Sequence, residues 1–130
     1  MRKPFADVTA RTQVERLRAL AARALPAWGL EQASLRLLNH GYNTTFRVDA
    51  ADGRRFALRV NVVPTKTDAH LRAEVAWLAA LATETELRVP TPQRTLDGEW
   101  AARVPSPDHG RELPVVLFSW LEGRNLGRIP

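Results

Sequence analysis

A chain of 130 residues, 45% hydrophobic and 25% charged, has the size and composition of one ordinary domain, which excludes a collagen, a disordered tail and a large multidomain enzyme. The net charge of +5 comes from 19 Lys plus Arg against 14 Asp plus Glu, with the Arg spread from Arg2 to Arg128 among acids rather than gathered in a block, so a solvated surface is expected and no nucleic-acid partner. The absence of cysteine excludes disulfides and thiolate metal sites. Pro4 and Asp7 interrupt any leader-like apolar run, and no stretch approaches the ~18 apolar residues of a spanning helix. The expectation is a cytoplasmic protein with no membrane partner.

Taken in chain order, Thr12-Gln13-Val14-Glu15 has the form of a capping box, and Val14, Leu17, Leu20, Ala21 and Ala24 recur at helical spacing until Pro26. From Ala33 the period becomes two, with Leu35 and Leu37 alternating with Ser34 and Arg36. After a break at Asn39-His40-Gly41 a second run, Thr44 to Val48, leads into Ala51-Asp52-Gly53, a hairpin signal. The returning run Arg55 to Val62 sets Phe56, Leu58 and Val60 on one face and Ala57, Arg59 and Asn61 on the other. A second helix follows Pro64, capped near Thr67 or Asp68, with Leu71, Val75, Leu78 and Leu81 as its stripe and Glu74 and Trp77 beside it, ending by Thr85. Beyond Pro90 and Pro92, a strand from Gln93 to Leu96 is predicted to turn at Asp97-Gly98 into Glu99 to Val104. Pro105 to Gly110 reads as a loop, and Pro114 to Trp120 as a buried strand. This order predicts an α+β domain: a twisted antiparallel sheet of about five strands packed on the second helix, plus an N-terminal amphipathic helix.

An independent catalytic centre is not legible. His40, His70 and His109 have neither ligand spacing nor a nucleophile partner, and each is read as an ordinary turn, helix or loop residue. What remains is an ordered constellation: a glycine-containing turn, a strand presenting Ala57 and Arg59 on one face, and a helix presenting Glu74 fifteen residues after Arg59. A phosphate beneath the turn would meet backbone N–H groups near Gly41 and the hydroxyls of Thr44 and Thr45. Arg59 could supply a fixed cation, Glu74 could hold Arg59, and Ala57 is small enough to admit a flat ring. From composition alone the preferred reading is plainer, a cross-strand surface arginine and a solvated helix glutamate.

The segments Leu38-Asn39-His40-Gly41-Tyr42-Asn43-Thr44-Thr45-Phe46-Arg47-Val48, Phe56-Ala57-Leu58-Arg59-Val60, Arg72-Ala73-Glu74-Val75-Ala76-Trp77-Leu78 and Leu117-Phe118-Ser119-Trp120-Leu121-Glu122-Gly123 together resemble the N-terminal lobe of the aminoglycoside phosphotransferase family. These are small-molecule kinases with a protein-kinase-like fold, among them choline, fructosamine and type II homoserine kinases. The resemblance runs from about Leu30 to Leu126. It implies a nucleotide-binding turn at Gly41, Tyr42, Asn43, Thr44 and Thr45. It also implies an Ala-x-Lys-type strand at Ala57 and Arg59 whose cation contacts the phosphates of ATP, and a pairing acid at Glu74. A hinge at Phe118, Ser119 and Trp120 would face the adenine edge, although Trp120 fits ordinary packing beside the hinge as well. The division implied is an N-terminal helical segment over 1–30, a nucleotide-binding lobe over 31–120, and a hinge opening a second lobe over 121–130.

Two departures shape what the resemblance implies. Arg59 stands where protein kinases carry lysine, which leans the substrate toward homoserine-kinase-like members, and the turn holds a single glycine. The family's catalytic His-Gly-Asp segment and its Mg²⁺-holding Asp belong to a C-terminal lobe, and Asp108-His109-Gly110 has the wrong order and precedes the hinge. The expectation is therefore the ATP-binding lobe of a kinase of unknown acceptor, with Mg²⁺ held by the second lobe and no catalysis by this chain alone. The alternative is a non-catalytic module that self-associates or binds a partner through an exposed Phe118 and Trp120.

Overall fold

The computed structural model describes residues 4–41, 43–62, 68–84 and 90–121. Tyr42, the Thr67 cap, the end of the second helix at Thr85 and the segment after Leu121 lie outside the described residues. The first helix, α1 (Ala10–Ala24), is capped by Thr9, whose hydroxyl accepts a hydrogen bond from the Thr12 N–H at 3.2 Å. The cap therefore stands three residues before the Thr12 position that the capping-box spacing predicts. Thr9 has the extended backbone a cap requires, and its carbonyl already accepts the first helical bond, from the Gln13 N–H. All five residues of the predicted stripe, Val14, Leu17, Leu20, Ala21 and Ala24, are buried. A 3-10 turn over Leu25–Trp28 carries Pro26, and Gly29 ends it at φ 70°, a left-handed conformation suited to glycine.

Strands β1 (Ser34–His40), β2 (Thr44–Asp49) and β3 (Arg55–Val60) form an antiparallel meander. Then come α2 (Asp68–Glu84), the two-residue β4 (Pro92–Gln93), β5 (Ala102–Ser106) and the long β6 (Arg111–Ser119). The sheet has six strands in the order β1-β2-β3-β6-β4, with β5 also on β6. Because Val115 pairs with Val60 of β3 and with Ala102 of β5, β5 lies on the side of β6 away from β3.

The second predicted hairpin does not form as a ladder. Asp97-Gly98 makes a closed turn, with Gly98 at φ 84° and the Thr95 N–H donating to the Glu99 carbonyl at 2.7 Å. Beyond it β4 and β5 separate, and each pairs with β6. The true hairpin is β5–β6, joined through a 3-10 turn at Pro107–His109. Residues 113–118 of β6 are all buried, so its apolar edge draws both short strands away from each other.

Both faces of the sheet are covered. On one, α1 packs with Phe46, Val48, Leu58, Val60, Leu113, Val115 and Leu117 into the larger core. On the other, Leu71 and Val75 of α2 pack with Ala57, Val116 and Phe118. The Trp28 indole N–H donates to the Gln93 carbonyl at 3.0 Å, fastening the turn after α1 to β4. Among the described residues no helix is long and apolar enough to cross a membrane.

His109 gives this fold a pH dependence. Its ring lies 4.7 Å from that of Phe5, and its Nδ1 is 2.8 Å from the Ser106 hydroxyl. Burial holds its pKa below the ordinary 6.5, aided by Arg111 and opposed by Asp108. The unfolded chain then binds the proton more readily, so this contribution to stability is complete above about pH 6.5 and is lost as pH falls toward the lowered folded value. The thermal midpoint of the wild type is expected to drop further between pH 7.5 and 5.5 than that of His109→Phe, and equal drops would refute the assignment.

Candidate nucleotide site

The site is built on the period-two alternation of β3. Leu58 and Val60 enter the α1 core, while Ala57 and Arg59 emerge beneath α2. On α2, Leu71, Glu74, Val75 and Leu78 follow the spacing that puts four side chains on one helical stripe, so the glutamate arrives over the sheet with the apolar residues that seat the helix. Arg59 Nη2 donates to Glu74 Oε1 at 2.5 Å and Nη1 donates to Oε2 at 3.2 Å. The side chains are 17% and 30% exposed, which leaves the pair shielded yet reachable. The guanidinium lies over the Phe118 ring, 5.2 Å from its centroid. Its Nε–H is buried and has no acceptor among the described residues.

The β2–β3 register sets Thr45 opposite Arg59 and Arg47 opposite Ala57, all on the α2 face. Thr44 belongs to the other face. It is fully buried, and its hydroxyl lies 2.8 Å from His40 Nδ1, so it does not join Arg59 as the sequence suggests. The Gly41 N–H is spent within the turn, donating to the Asn43 carbonyl at 3.2 Å, and the Asn43 side-chain oxygen is buried with no donor among the described residues. A Cβ at Gly41 would meet nothing within 4 Å, so the chain's own packing does not demand a glycine there.

At the opposite end of the same face, Asp49 accepts from Arg55 at 2.8 Å and from Arg47 at 2.9 Å. The Arg55 hydrogen bond, followed by that of Arg47, holds its carboxyl below the usual range. Ser119 fastens β6 to Thr91, donating its N–H to the Thr91 carbonyl at 2.8 Å and accepting the Thr91 N–H on its hydroxyl at 2.9 Å. Phe118 is buried and Trp120 half-buried against the α2 cluster, with Arg55 stacked 5.8 Å from its ring centroid. Of the two residues that the self-association alternative places on an exposed surface, Phe118 is therefore buried and Trp120 partly exposed. Among the described residues the exposed large apolar side chains are Leu37, Leu38, Trp77 and Leu96. His40, dismissed on spacing, is built into the turn. Among the described residues no group of three or more His, Asp or Glu is placed to hold a metal ion.

The family model described as "Phosphotransferase enzyme family" matches residues 34–130. A curated protein of Deinococcus radiodurans, described as uncharacterized, is 34% identical over 112 residues, 86% of this chain and 32% of that protein. The solved structure of a microcompartment-associated aminopropanol kinase superposes with a TM-score of 0.70 at 32% identity, covering 79% of this chain and 31% of the other. Amicoumacin kinase hAmiN, solved with AMP-PNP, Ca²⁺ and Ami, superposes at 0.61 and 16% identity, covering 92% and 33%, a likeness of fold. The chain thus spans about a third of the length of each of these proteins.

The ion pair sits in surroundings dry enough for its geometry to matter. Arg59→Met and Glu74→Gln are each expected to cost about 1–3 kcal/mol in urea unfolding, and the double variant little more than the worse single one. Additive losses would show that the two groups do not act as a unit.

Proposed function

The chain belongs to the phosphotransferase enzyme family, and we propose that its sheet is the nucleotide-holding lobe of an ATP-dependent kinase that phosphorylates a hydroxyl of a small molecule. The observation that carries this reading is the Arg59–Glu74 pair. Each Nη donates one hydrogen bond to the carboxylate, while the Nε–H is buried and has no acceptor among the described residues, on the face that also presents Ala57. A buried donor without an acceptor costs about 1–3 kcal/mol, and an anionic oxygen brought against it would answer it.

In this reading Arg59 orients the phosphates and Glu74 orients Arg59. The turn containing Gly41, Tyr42, Asn43 and Thr45 covers the phosphates, and the position of a Cβ at Gly41 is open space. Thr44 contributes from the opposite face, by holding His40. Ala57 admits the adenine, with Phe118, Ser119 and Trp120 along its edge. When bound, ATP supplies the phosphoryl group that is transferred; this chain's described residues bind and orient it, and no Mg²⁺ or acceptor contact is assigned to them. The likeness to an aminopropanol kinase at 32% identity supports a small alcohol as acceptor class.

The test is calorimetric titration of MgATP into the 130-residue chain and into Arg59→Met. With half of a two-lobed cleft present, a dissociation constant on the order of 0.1–1 mM is expected for the wild type, weakened at least about tenfold by the substitution. Binding that is absent, or indifferent to Arg59, would overturn the reading.

A further inference from the structure

The turn at the mouth of this site is tied through the sheet to the N-terminal helix. β1 and β2 pair with Leu37 opposite Phe46, but Asn39 lies opposite Thr45 and His40 opposite Thr44, so one extra residue is accommodated between Leu37 and Asn39. This bulge reverses the alternation and turns His40 onto the α1 face. There its ring bridges two elements, with Nδ1 2.8 Å from the Thr44 hydroxyl and Nε2 3.0 Å from Gln13 Oε1.

The proton positions follow from the neighbours. Gln13 donates its Nε2–H to the Phe5 carbonyl at 3.1 Å, which fixes the amide and leaves Oε1 as acceptor toward His40. His40 Nε2 therefore carries a proton and donates it. In the neutral ring Nδ1 then accepts from the fully buried Thr44 hydroxyl. Thr44 is one residue from Asn43, whose carbonyl closes the turn by accepting the Gly41 N–H, and one residue from Thr45, opposite Arg59. Gln13 lies in α1, before residue 34 where the family match begins.

We infer that the Gln13–His40–Thr44 chain makes α1 a positioning element for the β1–β2 turn, so that the seating of the N-terminal helix sets the affinity for the phosphates of a nucleotide on the other side of the sheet. The functional half of this inference rests on the nucleotide reading above; the structural half does not. His40 and Gln13 are positioning residues, since neither reaches the α2 face.

The experiment uses the 130-residue chain and Gln13→Met, a near-isosteric change that keeps the helix packing and removes the acceptor. Proton–nitrogen correlation spectra without nucleotide read the Gly41 and Asn43 amides and the His40 Nε2–H, and a MgATP titration reads affinity. Loss of the ring N–H signal, displaced Gly41 and Asn43 amides, and MgATP affinity weakened about five- to tenfold are expected. A merely structural contact would lower the thermal midpoint and leave the turn amides and the affinity in place, which would overturn the proposal. His40→Asn, which retains a partner for Thr44 but cannot reach Gln13, should reproduce the displacement and carries the test if Gln13→Met does not fold. Displaced amides in a chain that binds no MgATP would sustain the tie between helix and turn and refute the nucleotide reading; displaced amides with unchanged affinity would refute the positioning role.

Discussion

Every other element is arranged around a strand buried on both faces. Leu113, Val115 and Leu117 of β6 point into the core under α1, while Val116 and Phe118 point into the cluster under α2. Such a strand cannot lie at an edge or against solvent, and its backbone groups must be paired on both sides. β3 satisfies one side; β5 and β4, end to end, satisfy the other. The demand for a cover on each face then explains why two helices are needed, one before the meander and one inserted between β3 and β4.

The two faces are not equivalent. The α1 face is mostly apolar, and two buried hydroxyls on it, Thr44 and Ser106, are matched by His40 and His109. The α2 face carries charges at both ends of the β2–β3 ladder: Arg59 with Glu74 at the end near the β1–β2 turn, and Asp49 with Arg47 and Arg55 at the other. Burying an ion pair offers little stability over a well-packed apolar pair of the same volume, because desolvation offsets most of the Coulomb gain. A guanidinium held beneath a helix and above a phenylalanine ring, with its Nε–H left without an acceptor among the described residues, suits the anionic ligand proposed for it better than a purely structural role.

Much of this was legible in the sequence because it is local. The stripe of α1, the Asp52-Gly53 hairpin, the two faces of β3 and the apolar run of β6 each follow from spacing within one segment. The separation of fifteen positions from Arg59 to Glu74 allowed a contact, and the family resemblance implied the pairing that the structure contains. What escaped was nonlocal. Whether Asp97-Gly98 opens a ladder depends on what β6 offers each flanking strand. Which face Thr44 takes depends on β2 pairing with β3, and His40 turns inward through a bulge that no residue type announces. The Thr9 cap is hidden in the sequence because Thr12, followed by Glu15 at the capping-box distance, matches the local pattern better.

The arginine at position 59, where the resemblance implies lysine, alters how the site can divide its work. An ammonium is one nitrogen, so a carboxylate partner and a phosphate must share it. The guanidinium separates the tasks in space. Nη1 and Nη2 are turned to Glu74, and Nε–H, on the stem side of the plane, stays outside the ion pair. The same planarity lets the group stack over Phe118, which fixes the direction in which Nε–H points. An arginine placed in this way can therefore remain paired with its helix while engaging an anion, and binding need not be purchased by breaking the contact that holds α2 to the sheet.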